Sequence, residues 1–328
     1  MKILVRLPTW LGDAVMATPA LELLHDRFPH AQFTYIGSPV SCALFERDSR
    51  VSRLIVDDSK KAKSRLKGIL HIARRAGRHD IALTFQNNFL SALLLFLTRT
   101  PRRLGYAKEW RSFLLSDSLQ TPSSLHQVER YAKLLEPLIG ALSEIPSLNI
   151  THQPRPKPLP VPKLIGINPG AAYGSAKRWP EAHFAHLISS LLQEGYGVML
   201  FGGEGEREGN ERILRSLEPS PLLLDLTAQT DLSQLIDVIG TLDLFITNDS
   251  GPMHLACALG IPLIALFGPT DSKETSPWKP MSETLLLSKH LPCAPCKKRI
   301  CPLGHHHCMT LLAPQEVLAA ASQVLGDS

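Results

Sequence analysis

Four stretches of this 328-residue sequence hold residues whose types and spacing suit work on a phosphorylated sugar. The first, Pro8-Thr-Trp-Leu-Gly-Asp-Ala-Val-Met-Ala-Thr-Pro19, sets Asp13 at the start of a helix directly after a β-rich run. The positive end of the helix dipole favours an ionised carboxylate there, ready to take up a proton, although an aspartate in that place is also an ordinary helix cap. The second, Asn168-Pro-Gly-Ala-Ala-Tyr-Gly-Ser-Ala-Lys-Arg-Trp-Pro180, leaves a strand, turns on glycines and presents Lys177 and Arg178 just before a helix starting near Pro180. Cations beside a helix N-terminus suit phosphate. In the third, Gly202-Gly-Glu-Gly-Glu206, Glu204 is placed to accept hydrogen bonds from sugar hydroxyls. The fourth, Asn248-Asp-Ser-Gly-Pro-Met-His254, makes Ser250 an N-cap and puts Pro252 in the first helical turn, so that free N–H groups face outward to cradle a diphosphate. Singly, each of these is also a surface cation, a helix-start acid or a cap; their shared position after strands argues for a nucleoside diphosphate.

Two absences narrow the chemistry. The first strand-helix turn lacks G-x-G-x-x-G, which disfavours a nicotinamide enzyme, and nothing calls for another cofactor. No Asp-x-Asp pair occurs, so no metal is expected to bridge a diphosphate, and Lys177 with the helix amides must supply the positive charge.

The elements that position these loops alternate along the whole chain. Lys2–Leu7, Ala31–Ile36, Arg53–Val56 and Ile81–Phe85 read as strands, and Ala14–Phe28, Lys60–Ala76 and Leu90–Thr98 as helices. From Pro154 to Pro162 proline occupies every second position, which predicts a stiff extended connector over 154–162 between domains at 1–153 and 163–328. After it the alternation restarts. Leu164–Asn168, Gly197–Phe201, Leu222–Asp225, Leu244–Asn248 and Leu263–Phe267 read as strands, and Glu181–Glu194, Glu206–Leu217, Leu232–Gly240 and Pro252–Leu259 as helices. The fold class is α/β, with two Rossmann-like doubly wound domains, and ligands are expected outside the carboxyl ends of the strands.

Charge is unevenly shared. Residues 1–150 carry 21 Lys and Arg against 13 Asp and Glu, a net +8, and the remainder 14 against 17, a net −3. Lys60, Lys61, Lys63, Arg65, Lys67, Arg74, Arg75 and Arg78 form a run without an acid, suited to an anionic membrane surface or a phosphorylated acceptor, or else to a solvated helix face. Without a nucleic-acid motif or interleaved aromatics, nucleic acid is not the expected partner. The longest apolar stretches, such as Ala92–Leu97, fall far short of the roughly 20 residues a bilayer span needs, and the start does not read as a secretory signal, so a cytoplasmic location is expected.

Cys293, Cys296, Cys301 and Cys308 make C-x2-C-x4-C-x6-C, in a loop over 293–308 with His305, His306 and His307 inside it. The first spacing suits zinc and the last gap is irregular, so the metal expectation is none, with a structural zinc as the alternative. Lys297-Lys-Arg299 in the same loop is a candidate contact for acceptor or donor. Cys42 and Cys257 sit in apolar settings and read as core.

Leu11–Pro19, Ala176–Pro180 and Asn248–His254 together resemble the ADP-heptose:lipopolysaccharide heptosyltransferases of glycosyltransferase family 9, over essentially the whole chain. Arg103-Leu-Gly-Tyr106 and the cysteine loop are similar to the second type within that family. The resemblance implies a GT-B fold with two domains facing a central cleft, and transfer with inversion from ADP-heptose to a Kdo2-lipid A-type glycolipid at the cytoplasmic face of the inner membrane. It implies Asp13 as general base, Lys177 as diphosphate contact, Asp249, Gly251 and His254 as donor-sugar and phosphate contacts, and acceptor binding by the basic first domain. Lys60, Lys61, Lys63 and Arg65 are the candidate acceptor contacts. The first-type acceptor step, a sugar-nucleotide epimerase and a non-catalytic sugar-nucleotide binder are the competing readings.

Overall fold

In the computed structural model, which describes residues 1–108 and 110–326, the chain divides into two units, Met1–Thr151 and His152–Ser328. The first is built on a six-stranded sheet of β1 (Lys2–Arg6), β2 (Gln32–Gly37), β3 (Val51–Val56), β4 (Ile81–Thr84), β5 (Arg102–Tyr106) and β6 (Asp117–Leu119), in the order β3-β2-β1-β4-β5-β6. The second contains β7 (Leu164–Asn168), β8 (Gly197–Leu200), β9 (Leu223–Asp225), β10 (Leu244–Asn248), β11 (Leu263–Phe267) and β12 (Thr284–Ser288), in the order β12-β11-β10-β7-β8-β9. Every pairing is parallel. Both orders are the Rossmann order, whose reversal points lie between β1 and β4 and between β7 and β10. Both units are Rossmann-like domains of the GT-B type.

The central strands of both sheets are almost wholly buried because helices cover both faces, whereas the edge strands β3, β6, β9 and β12 are only partly so. β7, β10 and β11 are buried at every position. On one face of the first sheet, Ile69, Ile72, Ala73 and Ala76 of the helix Arg65–Ala76 pack with Ala92, Leu94 and Leu95 of the helix Phe89–Leu97. The spacing of the first four puts them on a single helical stripe, which leaves the basic residues between them in solvent.

Three expected elements differ in detail. Ala14–Phe28 is two helices, Leu11–Met16 and Thr18–Arg27, because Pro19 restarts the helix in its first turn. Lys60–Ala76 is helical only from Arg65; Ser59–Lys61 form a separate 3-10 turn packed so closely on Gly68 that a Cβ there would lie 2.8 Å from the Ser59 backbone. The segment 154–162 lies within the second unit and bends at Pro158, Leu159 and Pro162, held by Arg155 to Asp237 at 3.1 Å and Lys157 to Asp243 at 2.6 Å. No helix among the described residues is long and apolar enough to cross a membrane.

Candidate active site

In the first unit, the loop after β1 carries Asp13 into the first turn of the helix Leu11–Met16. The loop's carbonyl groups are tied down one by one. Gln86 Nε2 donates to Leu7 O at 2.7 Å, Ser41 Oγ to Pro8 O at 2.5 Å and Ser38 Oγ to Thr9 O at 2.8 Å. These donors come from the segments that follow β4 and β2, Ser41 from the short helix Pro39–Ala43 and Ser38 from its N-cap, and because those two strands flank β1 the sheet edge itself fixes the approach to Asp13. Tyr131, on the helix Gln127–Lys133, donates its phenolic O–H to Asp13 Oδ1 at 3.3 Å. Its ring is buried edge-on against Phe85 at 4.9 Å between centroids. Burial, reinforced by the charge of Asp13, pushes the phenol well above its ordinary range, so it stays protonated and remains a donor. No local pattern in the sequence marks Tyr131.

Lys60, Lys61, Lys63 and Arg65 lie on and after the 3-10 turn that follows β3; all four are exposed and form no ion pair among the described residues. The turn is anchored beneath by Arg6 and Asp57, a close ion pair nearly excluded from solvent.

The second unit gathers its polar residues at the reversal point between β7 and β10. Asn248 Nδ2 donates to Pro169 O at 2.6 Å and its Oδ1 accepts from the Trp179 N–H at 3.2 Å, so one side chain ties both ends of the 169–179 loop. Trp179 is buried against Phe184, with Nε1 donating to Leu312 O at 2.9 Å. Two residues before this anchor, Lys177 reaches Asp249 Oδ2 at 2.6 Å and lies 4.8 Å over the Tyr173 ring. Thr270 Oγ1 donates to the same Asp249 oxygen at 2.5 Å. The pair is largely buried, with 11% and 4% of the side chains exposed, so a diphosphate oxygen meeting Lys177 there would meet a poorly screened cation.

Ser250 stands at the N-cap of the helix Gly251–Ala258 but makes no cap bond. Its hydroxyl turns to Thr247 Oγ1 at 3.0 Å, which leaves the first-turn N–H groups, Gly251's included, to another acceptor. His254, one turn further on, is buried. Glu204 is exposed and paired with Arg207 at 2.7 Å. Glu206 is the acid that reaches the loop, its carboxylate so close over Gly170 that a Cβ there would lie 1.7 Å from an oxygen.

The cysteine loop also belongs to this neighbourhood. Ala176 N donates to Arg299 O at 3.0 Å, Tyr173 Oη to Lys297 O at 2.9 Å and Lys297 N to Pro269 O at 2.8 Å. The Arg299 guanidinium lies 5.2 Å over the Tyr173 ring that Lys177 also faces. Thus Lys297 and Arg299 hold the lysine loop through their backbone as much as by charge. All six cysteines are free thiols. Backbone N–H groups of residues 303–306, His306 foremost, pull the Cys301 thiol below its ordinary value. No three His, Cys, Asp or Glu side chains among the described residues are arranged as a metal-binding group.

Residues 69–307 match the family described as glycosyltransferase family 9 (heptosyltransferase). The chain is 35% identical to lipooligosaccharide heptosyltransferase 2 of Campylobacter jejuni, over 100% of this chain and 99% of that relative. It is 32% identical to lipopolysaccharide heptosyltransferase 2 of Escherichia coli K12, over 99% of both. The solved structure of E. coli ADP-heptose lps heptosyltransferase II superposes with a TM-score of 0.81 at 29% identity, covering 100% of this chain and 99% of that one. With two Rossmann-like domains, a buried lysine-aspartate pair at one reversal point and a hydrogen-bonded aspartate at the other, the chain belongs to glycosyltransferase family 9, the heptosyltransferases.

Proposed function

We propose that the protein transfers L-glycero-D-manno-heptose from ADP-heptose onto the heptosyl-Kdo2-lipid A inner core of lipopolysaccharide, with inversion, as a heptosyltransferase II. The observation that carries this reading is full-length similarity to relatives named heptosyltransferase 2 in two genera. The second unit binds the donor. Lys177 and the N–H groups of the helix Gly251–Ala258 neutralise the diphosphate, and Asp249 orients Lys177 and meets the sugar. As the bond between the anomeric carbon and the ADP oxygen lengthens, negative charge grows on the phosphate, where these donors already wait. Asp13 takes the proton from the acceptor hydroxyl as that oxygen attacks, with Tyr131 holding the carboxylate in place. Lys60, Lys61, Lys63 and Arg65 attract the anionic glycolipid, and the enzyme works at the cytoplasmic face of the inner membrane.

The test is ADP release in the presence of each acceptor. Heptosyl-Kdo2-lipid A is expected to drive ADP release and gain one heptose by mass, and Kdo2-lipid A is not. The opposite preference would establish the first-type step. Conversion of the nucleotide sugar without acceptor would establish an epimerase, and binding without turnover a non-catalytic protein.

A further inference from the structure

The first unit displays aromatic side chains that its own core does not need. Trp110 is 93% exposed, Phe113 73% and Leu66 59%, and Phe89 is partly exposed with its ring 6.3 Å from that of Phe113. Trp110 and Phe113 flank a buried arginine. Arg111, between Trp110 and Phe113, is fully buried, and its guanidinium donates to Tyr106 O at 2.8 Å, Asn88 O at 3.2 Å, Ser91 Oγ at 3.0 Å and Asn87 Oδ1 at 3.1 Å. This ties the segment after β5 to the loop after β4, so Trp110 and Phe113 project outward from an anchored backbone. Trp110 has φ +59°, a left-handed conformation that a bulky residue keeps only when its surroundings impose it.

The position of this display matters more than its size. In a parallel sheet, each helix following a strand begins at the carboxyl edge. Leu66, at the start of Arg65–Ala76, and Phe89, at the start of Phe89–Leu97, therefore lie at the edge that carries Asp13, and Arg111 brings Trp110 and Phe113 to it. The two helices pack side by side. Lys60, Lys61, Lys63, Arg65 and Lys67 surround Leu66 on the same edge, exposed and without acidic partners among the described residues. Exposed aromatics beside an unpaired basic cluster match the two layers of an anionic bilayer surface, where indole and phenyl rings settle at headgroup depth and lysines meet lipid phosphates.

We propose that Trp110 and Phe113, flanked by Phe89 and Leu66, insert into the headgroup layer of an anionic membrane while Lys60 to Lys67 hold the surface by charge. Resting on the proposed glycolipid acceptor, this identifies the docking face that brings Asp13 to a lipid-borne hydroxyl. The charge selects the leaflet and the rings set the depth.

The test uses the full chain and vesicles of phosphatidylcholine with or without phosphatidylglycerol, in co-sedimentation without donor or acceptor. The wild type is expected to bind only the anionic vesicles. A Trp110→Ser/Phe113→Ser variant should bind them at least about tenfold more weakly, because the buried area of two rings is lost. A Lys60→Gln/Lys61→Gln/Lys63→Gln/Arg65→Gln variant should lose the preference for phosphatidylglycerol. With activity as a second readout, the aromatic variant should raise KM for vesicle-embedded acceptor and leave KM for the delipidated oligosaccharide unchanged. Undiminished vesicle binding by the aromatic variant overturns the proposal. An equal rise in KM for the soluble oligosaccharide overturns it too, by showing that the rings meet sugar, and so does a change confined to self-association in sedimentation velocity. Failure of the functional reading looks different: the wild type would then bind vesicles yet transfer nothing to the soluble acceptor.

Discussion

The Tyr131 phenol and the Asp13 carboxylate, 118 positions apart in sequence, share a hydrogen bond of 3.3 Å. The phenol is raised well above its ordinary value by burial and by the charge of Asp13, so it donates throughout any assay range. Asp13→Asn should keep ADP-heptose affinity and lower kcat by at least roughly a hundredfold, the scale expected for loss of a general base. Tyr131→Phe removes the orienting bond, together with the one that the Gln127 side chain makes to the phenol, and leaves the carboxylate itself in place. Its kcat should fall several-fold, with donor affinity unchanged by calorimetry. Near-normal turnover in Asp13→Asn would remove that residue from the mechanism.

Lys177 and Asp249 make a second coupled pair, and its burial dictates how it must be tested. Lys177→Ala alone strands a buried carboxylate, which typically costs about 3–5 kcal/mol, so lost donor binding would be confounded with lost stability. In Lys177→Ala/Asp249→Asn the melting temperature should recover, while ADP affinity stays at least about tenfold below wild type. Recovery of ADP binding in the double variant would show that the lysine serves the fold alone. With Lys177 as the counter-charge, turnover should also survive EDTA, and complete loss reversed by a divalent metal would show another means of neutralisation.

Arg6 and Asp57 give a pH prediction for the first unit. Burial works to raise the Asp57 carboxyl, but Arg6 and the hydrogen bond from the Ser59 N–H outweigh it and hold it below the ordinary range. A carboxylate depressed in the folded state stabilises above its unfolded value of about 3.9 and loses that contribution as pH falls through the folded value. Acid unfolding followed by circular dichroism should therefore steepen below about pH 4 in the wild type. Asp57→Asn should flatten that dependence and be less stable at neutral pH by about 3–5 kcal/mol, since Arg6 is then buried without its counter-charge.

The frame of both domains was legible because apolar strands end in loops rich in glycine, asparagine and charge. β7, β10 and β11 lie where their sequences place them to the residue. Short or charged strands were not: β5 opens on Arg102-Arg103, β6 has three residues and β12 stands at an edge only half buried. Single side-chain directions were also hidden. Glu204 and Glu206 share one turn, and nothing in their spacing says that the second faces Gly170 while the first pairs with Arg207. Tyr131 and Thr270 reach Asp13 and Asp249 only through tertiary packing, which no local periodicity encodes.

The contact between Gly174 and Arg299 turns the cysteine loop's role into a measurement. The Ala176 N–H donates to Arg299 O at 3.0 Å, and a Cβ built on Gly174 would stand 2.3 Å from that same oxygen. The obstacle is backbone, which cannot swing aside as a side-chain tip would. Gly174→Ala must therefore push the 293–308 loop away from the lysine loop, taking Arg299 from the Tyr173 ring and loosening Lys177, whose ammonium faces the same ring. The expected outcome is a donor KM raised roughly tenfold or more, about 1.4 kcal/mol, with acceptor KM little changed because the perturbation is confined to the second unit. Gly170→Ala serves as the comparison. There the obstructing atoms belong to the Glu206 carboxylate, the far end of a flexible side chain that can rotate away, so its effect on donor KM should be smaller. Steady-state kinetics of the two variants measure the difference. Equal effects, or no effect of Gly174→Ala, would show that the cysteine loop does not hold Lys177 in place.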